Sequence, residues 1–290
     1  MPVYNSERYV AEAVESILNQ TFRDLEFLII DDGSTDRSLE ILKKYEEQDS
    51  RIRLISRPNT GYVVALNEML SLARGNLIAR MDADDISYAS RFARQFEYLA
   101  SNRDCVVVGS RVQLIDADGD PLGTWCEEQT HTEIDQAHLG TGWPMVHPAV
   151  MMRRDAVDAV GRYRVEYYSI EDRDLFLRLA EVGRVANLPD TLLKYRKHLR
   201  SICHTRAVEQ AQLQRRLRSE TRLRRNLPAT EMTPEQEPAP LDGEERAMWA
   251  WWALNSGFVR TARKHALQAV RRRPFSINSW RALGCSLRGR

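Results

Sequence analysis

Long hydrophobic runs, clustered cysteines and a sizeable net charge are all missing from this 290-residue chain. Uncharged apolar stretches such as residues 28–30 and 105–109 fall far short of the roughly 20 residues that a bilayer-spanning helix needs. No basic-then-apolar leader opens the chain, so the expected compartment is the cytoplasm. The 4 cysteines (Cys105, Cys126, Cys203, Cys285) are widely separated and form no C-x-x-C, which argues against a disulfide framework. Cys203 has His204 beside it and His198 nearby, but a single cysteine does not make a zinc site. A formal net charge of +1, with no base-reading motif among the arginines, excludes nucleic acid as the expected partner.

What is present reads as an ordinary globular protein, 43% hydrophobic and 29% charged, sized for one large domain with a small appendage. The charge is unevenly placed: residues 1–204 carry a net −8 and residues 205–290 a net +9. A basic tail of this kind meets an anionic surface, either a membrane leaflet or an anionic lipid-linked substrate.

The first two-thirds alternates helical and strand-like periods. Residues 7–20 place Val10, Ala13, Val14, Ile17 and Leu18 on one helical stripe, with Ser6 as the expected N-cap. Strands are expected at 26–30, 52–55 and 76–81, with helices at 36–48 and 62–73 between them. Further on, 91–101 reads as helix, 105–115 as a long strand, 147–152 as strand, 171–181 as helix and 184–188 as strand. This rhythm predicts an α/β fold with a mainly parallel sheet covered by helices, and ligands bound beyond the carboxyl ends of the strands. Residues 205–225 form a basic helix, and the proline-rich stretch 226–243 reads as a linker. Residues 244–290 read as a helical hairpin, with Ala250, Ala262, Ala269 and Pro274 spaced as in a weak tetratricopeptide-type unit.

Two acidic runs fall at expected strand ends, Asp31-Asp32 and Asp82-Ala83-Asp84-Asp85. Asp82 and Asp84 leave the same side of an extended backbone, and hard cations such as Mg²⁺ or Mn²⁺ want oxygen ligands of this kind. Most isolated D-x-D pairs are solvated loop acids, so the neighbouring motifs decide. A third acidic run, Asp116-Ala117-Asp118-Gly119-Asp120, imitates a calcium loop together with Glu127. A strand precedes it and Pro121 stands where glycine is needed, so it is expected to be a polar hairpin turn.

Eight motifs in order resemble those of the bacterial family-2 glycosyltransferases with the GT-A fold. They are Pro2-Val3-Tyr4-Asn5, Gln20-Thr21-Phe22, Asp31-Asp32-Gly33-Ser34-Thr35-Asp36, Asn59-Thr60-Gly61, Arg80-Met81-Asp82-Ala83-Asp84-Asp85, His147-Pro148, Glu171-Asp172-Arg173-Asp174-Leu175 and Tyr195-Arg196-Lys197-His198. The resemblance implies a GT-A domain over 1–204. It also implies transfer of a sugar from a nucleotide donor, UDP- or dTDP-linked, with inversion at the anomeric carbon. Asp32 then contacts the base, and Asp31, Pro2, Tyr4 and Asn5 surround the nucleoside. Asp84 holds the Mg²⁺ or Mn²⁺ ion, and Asp82 touches ribose or a metal-bound water. Asp85 caps the helix that follows. Arg196 contacts the diphosphate, and His198 is a third metal or diphosphate contact. Asp172 is the base that activates the acceptor hydroxyl, Glu171 positions acceptor or base, and His147 lines the acceptor cleft. Without the resemblance, the first acidic run is a capped βα turn and Glu171-Asp172 a capped helix start. Family members begin with an apolar strand before Pro-x-Tyr-Asn, whereas here Met1 abuts Pro2. The authentic start is therefore expected upstream.

The leading expectation is a metal-dependent inverting glycosyltransferase of the O-antigen, capsule or exopolysaccharide type. Its acceptor would be a lipid-linked saccharide, with the basic tail peripheral on the inner face of the membrane. Two alternatives stay open. A sugar-phosphate nucleotidyltransferase would need a glycine-rich basic triphosphate loop, which the sequence lacks. A non-catalytic nucleotide-sugar-binding or scaffold protein would use the C-terminal hairpin.

Overall fold

The computed structural model describes residues 1–198, 207–228 and 244–289. The expected β/α alternation runs from β1 (Pro2–Val3) through α1 (Val10–Leu18), β2 (Phe27–Asp31), α2 (Ser38–Gln48), β3 (Ile52–Ser56) and α3 (Tyr62–Leu72) to β4 (Leu77–Ala79). It continues with β5 (Ile86–Ser87), α4 (Arg91–Ser101), β6 (Cys105–Ile115), β7 (Pro121–Trp125), α5 (His131–Leu139), β8 (Met151–Arg153), α6 (Arg154–Ala159), α7 (Glu171–Leu179) and β9 (Arg184–Arg196).

The sheet is parallel only in its first half. β1, β2 and β3 lie side by side in parallel, with Pro2 opposite Ile30 and Phe27 opposite Ile52. A second sheet has the order β4-β8-β6-β9-β5, in which β8 runs antiparallel to both β4 and β6, and β5 antiparallel to β9. The fold is thus a mixed sheet flanked by helices. β2 is buried along most of its length, as its continuous apolar sequence requires of a strand covered on both faces. The main core joins Ile30 of β2, Val63, Leu66 and Met69 of α3, Val107 of β6, Met152 of β8, and Leu175, Phe176 and Leu179 of α7.

Two local expectations are corrected. Ser6 does not cap α1, whose N-cap is Tyr9 without a side-chain bond. The chain turns at Asn5 (φ 48°), and Ser6 instead offers its carbonyl to the amides of Tyr9 and Val10 and its amide to Ser38 Oγ. Residues 147–152 are not one strand: a 3₁₀ turn spans His147–Ala149 and β8 starts at Met151. Pro148 has no N–H to give a ladder.

The short β1 leaves a particular environment around Met1. Its α-amino group donates to Leu28 O at 2.8 Å and to Met69 Sδ at 3.2 Å, and burial lowers its pKa to about 4. A cavity of about 640 Å³ adjoins it, lined by Phe27 and Leu28 of β2, Leu77 and Ile78 of β4, and Leu66 and Met69 of α3, among others.

The chain divides into two compact units, residues 1–112 with 126–195, and residues 113–125 with 196–290. Most of the proline-rich stretch, from 229 to 243, lies outside the described residues, as do Cys203 and His204. In the second unit, α8 (Ala207–Arg224) is followed by α9 (Glu245–Asn255), α10 (Val259–Arg272) and α11 (Ile277–Arg288). The expected C-terminal hairpin therefore carries a third helix. Pro274 ends the α10 pattern, and Ser276 then starts α11 by accepting from the Ser279 amide. Ala250, Ala266 and Ala282 pack the three helices closely, with Trp251 and Val270 against them.

The calcium-like turn between β6 and β7 holds a cation of its own. Lys264 Nζ lies 2.7, 2.8 and 2.6 Å from carboxylate oxygens of Asp116, Asp118 and Asp120, and His265 Nε2 is 2.8 Å from Asp116. Burial alone would raise the Asp116 pKa, but bonds from His265, Lys264 and the amides of Asp118 and Asp120 outweigh it and hold it far below the usual carboxylate range. The stabilisation is present above the ordinary carboxylate pKa and is lost as pH falls through the folded value. Removing one partner of such a buried pair costs about 3 kcal/mol or more. Asp116→Ala is therefore expected to lower the stability of the second unit by that amount at neutral pH. Urea unfolding followed by tryptophan fluorescence tests this, since Trp249 packs edge-on against His265.

Candidate active site

Asp31 ends β2 and Asp32 follows it, both buried. Ser56 Oγ donates to one oxygen of Asp31 at 3.1 Å, and the other oxygen has no hydrogen-bond partner among the described residues. Asp32 is held firmly: it accepts from the amides of Thr60 (3.1 Å) and Gly61 (2.9 Å) and pairs with Arg57 Nη1 at 2.6 Å. Gly61 is the N-cap of α3, so Asp32 anchors the start of that helix. This accounts for the Asn59-Thr60-Gly61 motif, to which the sequence assigned no job. Gly33 (φ 78°) is required next, because a Cβ there would lie 2.7 Å from the Asn59 amide nitrogen. Asn5 ties β1 to the same turn, donating its amide to Ser34 Oγ (3.0 Å) and accepting the Thr35 amide at Oδ1 (2.8 Å). Pro2 is half-buried in β1, and Tyr4 stands 52% exposed beside the turn, an aromatic face open to a planar base.

The acid run follows β4. Ligand oxygens of Asp82, Asp84 and Asp85 lie within 4.8 Å of one another, Asp82 and Asp84 half-buried and Asp85 buried. An all-carboxylate set of this kind fits a hard divalent cation. Asp85 does not cap a helix, contrary to expectation. The two-residue β5 intervenes, and Ser90 is the N-cap of α4. The run is fixed from beneath by buried polar side chains. Arg91 donates to the carbonyls of Arg80 (2.7 Å) and Val150 (3.1 Å), and Gln95 to those of Val108 and Ala149. Gln20 donates to Tyr88 O and accepts the Phe92 amide, which explains the Gln-Thr-Phe motif as a clamp on the start of α4. Arg80, also buried, donates to Asp82 Oδ1 at 2.6 Å.

Glu171 and Asp172 begin α7. Glu171 is buried and accepts a short hydrogen bond from the Tyr62 hydroxyl, while His147 Nδ1 lies 3.6 Å from its other oxygen. His147 is itself buried and shares a 2.7 Å bond between Nε2 and the Tyr163 hydroxyl. Its ring lies between the Tyr163 hydroxyl and Glu171, with 7% of the residue's surface exposed. Asp172 keeps part of its surface exposed and accepts the Arg173 amide at 2.7 Å. Burial, partly offset by the Tyr62 bond and by Arg80, pushes Glu171 up to about 7. Burial and the Glu171 charge push Asp172 up to about 6. Burial and Arg80 drive His147 down to about 3, so it stays neutral. Asp174, two residues on, is locked between Arg164 and Arg178.

Arg196 and His198 belong to the second unit. Arg196 is buried, with Nη1 3.4 Å from Asp116 O and 3.5 Å from Ala117 O, and His198 follows the end of β9 half-buried. The first unit thus brings together the Asp31/Asp32 turn, the Asp82–Asp85 run and the Glu171-Asp172 pair. Sequence reasoning missed Arg57, Tyr62, Arg80 and Arg91, although Arg80 stood in plain view beside the acid run.

A family model described as glycosyl transferase family 2 matches residues 1–161. The chain is 36% identical over 202 residues to the glycosyltransferase EpsE of Bacillus subtilis, covering 68% of this chain and 71% of EpsE. It is 33% identical over 207 residues to the O-antigen biosynthesis glycosyltransferase WbnJ of Escherichia coli, covering 69% of this chain and 79% of WbnJ. Among solved structures, S. aureus TarS 1–349 in complex with UDP-GlcNAc superposes with a TM-score of 0.62 at 18% identity, covering 100% of this chain and 90% of that one. The mannosyltransferase PcManGT of Pyrobaculum calidifontis, in complex with GDP-Man and Mn²⁺, gives 0.58 at 17% identity, covering 99% and 78%.

The raised carboxylates carry a stability cost with a definite sign. Folded Glu171 and Asp172 bind protons more tightly than in the unfolded chain, so stability falls as pH rises from about 4 to about 7. Each shift corresponds to roughly 3 kcal/mol. Glu171→Gln is expected to raise the Tm by several degrees at about pH 8 and to give little gain at about pH 4. Differential scanning calorimetry of the metal-free protein at the two pH values checks this.

Proposed function

The chain belongs to glycosyl transferase family 2 and is a glycosyltransferase of the GT-A fold, and we propose that it is a metal-dependent, inverting member acting in cell-surface polysaccharide synthesis. One observation carries the reading. An all-carboxylate cluster after β4 and a half-buried carboxylate raised to about 6, Asp172, lie in one unit, with the buried Arg80 paired to Asp82 and its charge acting on Glu171, the neighbour of Asp172. That the site accepts a nucleotide-sugar is supported by the exposed Tyr4 next to Asn5 and by the UDP-GlcNAc and GDP-Man complexes of the two structural relatives.

In this proposal Asp84, with Asp82 and Asp85, holds Mg²⁺ or Mn²⁺. The ion supplies charge neutralisation for the departing nucleoside diphosphate. Asp31 and Asp32 serve the nucleoside, with Pro2, Tyr4 and Asn5. Asp172 accepts the proton of the acceptor hydroxyl as that oxygen attacks the anomeric carbon from the face opposite the leaving group. The proton thus leaves the nucleophile in the same step as the glycosyl bond to the diphosphate breaks, and the configuration inverts. A pKa of about 6 suits this task, since the group is ionised at neutral pH yet basic enough to take a proton. Glu171, tied to Tyr62, holds the start of α7 in place.

The acceptor is proposed to be a lipid-linked saccharide at an anionic membrane, on the strength of the net +9 over residues 205–290. No helix among the described residues is long and apolar enough to cross a membrane, and the contact proposed here is peripheral. Flotation of the full chain with phosphatidylserine vesicles is expected at low salt and to be lost near about 0.5 M salt. Flotation indifferent to vesicle charge counts against the membrane reading.

The activity itself is tested by a panel of nucleotide-sugars with Mn²⁺, Mg²⁺ or chelator, reading nucleoside diphosphate release. Chelator and Asp84→Asn should each abolish turnover, and Asp172→Asn should lower kcat by about 100-fold to 10,000-fold. Undiminished turnover in Asp84→Asn rejects the metal assignment, and full activity in Asp172→Asn rejects the base.

A further inference from the structure

We propose that Tyr62 is a positioning residue for glycosyl transfer: its hydroxyl fixes Glu171 and the backbone before α7, and its two preceding residues tie that end of the site to Asp32. The proposal rests on the transferase reading above and adds a residue which that reading did not need.

Tyr62 is the first residue of α3. Its hydroxyl accepts the Ser169 amide at 2.9 Å and donates to Glu171 Oε2. Burial and the neighbouring Glu171 charge hold the phenol far above its ordinary pKa, so it donates to the carboxylate as a neutral hydroxyl. Ser169 has a φ of 78°, a left-handed conformation that costs a non-glycine residue roughly 1 kcal/mol or more. The two residues leading into Glu171 therefore sit in a shape that needs an outside hold, and the Tyr62 hydroxyl supplies one. The ring is fixed in turn by Tyr168, with centroids 4.7 Å apart.

The other half of the link lies immediately upstream. The Thr60 and Gly61 amides bind the Asp32 carboxylate, so three consecutive residues touch the acid proposed for the nucleoside and the acid beside the proposed base. The segment is stiff because α3 buries Val63, Ala65, Leu66, Met69 and Leu70 in the core. A nucleoside pressing on the Asp32 turn and an acceptor beside Asp172 thus share one rigid support. Glu171 is faced by Tyr62 from α3, His147 from the turn before β8, Arg80 and Asp82 from the end of β4, and Asp172 on its own helix. Of these, Tyr62 is the neutral donor in direct hydrogen bond with it.

The test is Tyr62→Phe in the full chain, assayed with a donor on which the wild type turns over. The kcat is expected to fall by about 10-fold to 100-fold, the cost of misplacing a catalytic group. Donor KM and the UDP affinity measured by calorimetry should change by less than about 2-fold, because no nucleotide contact is removed. The acid limb of kcat against pH, set by the proposed base Asp172, should move down by about half a unit, since Glu171 without this bond is more often neutral and raises Asp172 less. Asp32→Asn should show the opposite split, raising donor KM and weakening UDP binding. Wild-type kcat and pH limb in Tyr62→Phe would overturn the role of Tyr62 alone. Parallel loss of kcat and UDP affinity with a lowered Tm would also overturn it, marking Tyr62 as structural support only. A wild type that releases no nucleoside diphosphate from any donor would overturn the reading of the reaction, and this role with it.

Discussion

A positive charge placed out of water organises the first unit. Arg80 is 6% exposed, and its guanidinium donates to Asp82 while its field acts on Glu171, His147 and Tyr163. Burying such a charge is costly unless it is paired and hydrogen-bonded. Asp82 supplies the pairing, and the Met81 carbonyl accepts another of its hydrogen bonds. Burial, with the same charge, keeps His147 neutral, and the charge eases Glu171 toward ionisation, so acids after β4 and on α7 that are remote in sequence are electrostatically one group. Removing Arg80 would leave Asp82 without its partner and raise Glu171 further.

Around this centre, the chain uses long polar side chains where backbone geometry is irregular. Arg91 and Arg173 are fully buried, and both donate to main-chain carbonyls: Arg91 to those of Arg80 and Val150 besides the Gln95 side chain, Arg173 to those of Ala137, His138 and Gly140. These carbonyls lie where a strand or a helix gives way to a loop, and the guanidinium donors add to the backbone bonds that Val150 and Ala137 already accept from Arg80 and Gly142. Burial lowers the Arg91 pKa to about 9, the sign of a charge kept in place by geometry rather than by a counter-ion alone. Acidic loops would otherwise repel one another and drift. The guanidinium clamps hold the acid run after β4 in one conformation before any ligand arrives.

How much of this was legible in the sequence depends on how local each feature is. Helices such as Arg91–Ser101 and strands such as Cys105–Ile115 were readable to the residue, because their periodicity and end signals lie within the segment. The acid runs were readable as a site because strand ends are where an α/β sheet exposes ligands. Strand direction was not: β4, β5 and β8 are only two or three residues long, and such strands carry no signature of parallel or antiparallel pairing. Nor were the partners of the site acids. Tyr62 meets Glu171 across 109 residues and Asp32 meets Gly61 across 29, and composition at either end is silent about the other. The third C-terminal helix was hidden for another reason. Pro274 reads as an ending, and only the Ser276 cap shows that it is also a beginning.

The contrast between the two acids on α7 bears on which one takes the proposed proton. Both are raised, but by different surroundings and with different access. Glu171 is buried, one oxygen bound by Tyr62 and the other beside His147, so an acceptor hydroxyl would have to displace protein to reach it. Asp172 keeps exposed surface, and of its hydrogen bonds one runs to the amide of the next residue. Its pKa is raised in part by the Glu171 charge itself. In the proposed mechanism the Glu171 charge lifts the basicity of Asp172, and the burial of Glu171 keeps it from competing for the acceptor. The proposed division of labour carries a cost to the fold at neutral pH that both acids share, since both are raised above their ordinary values.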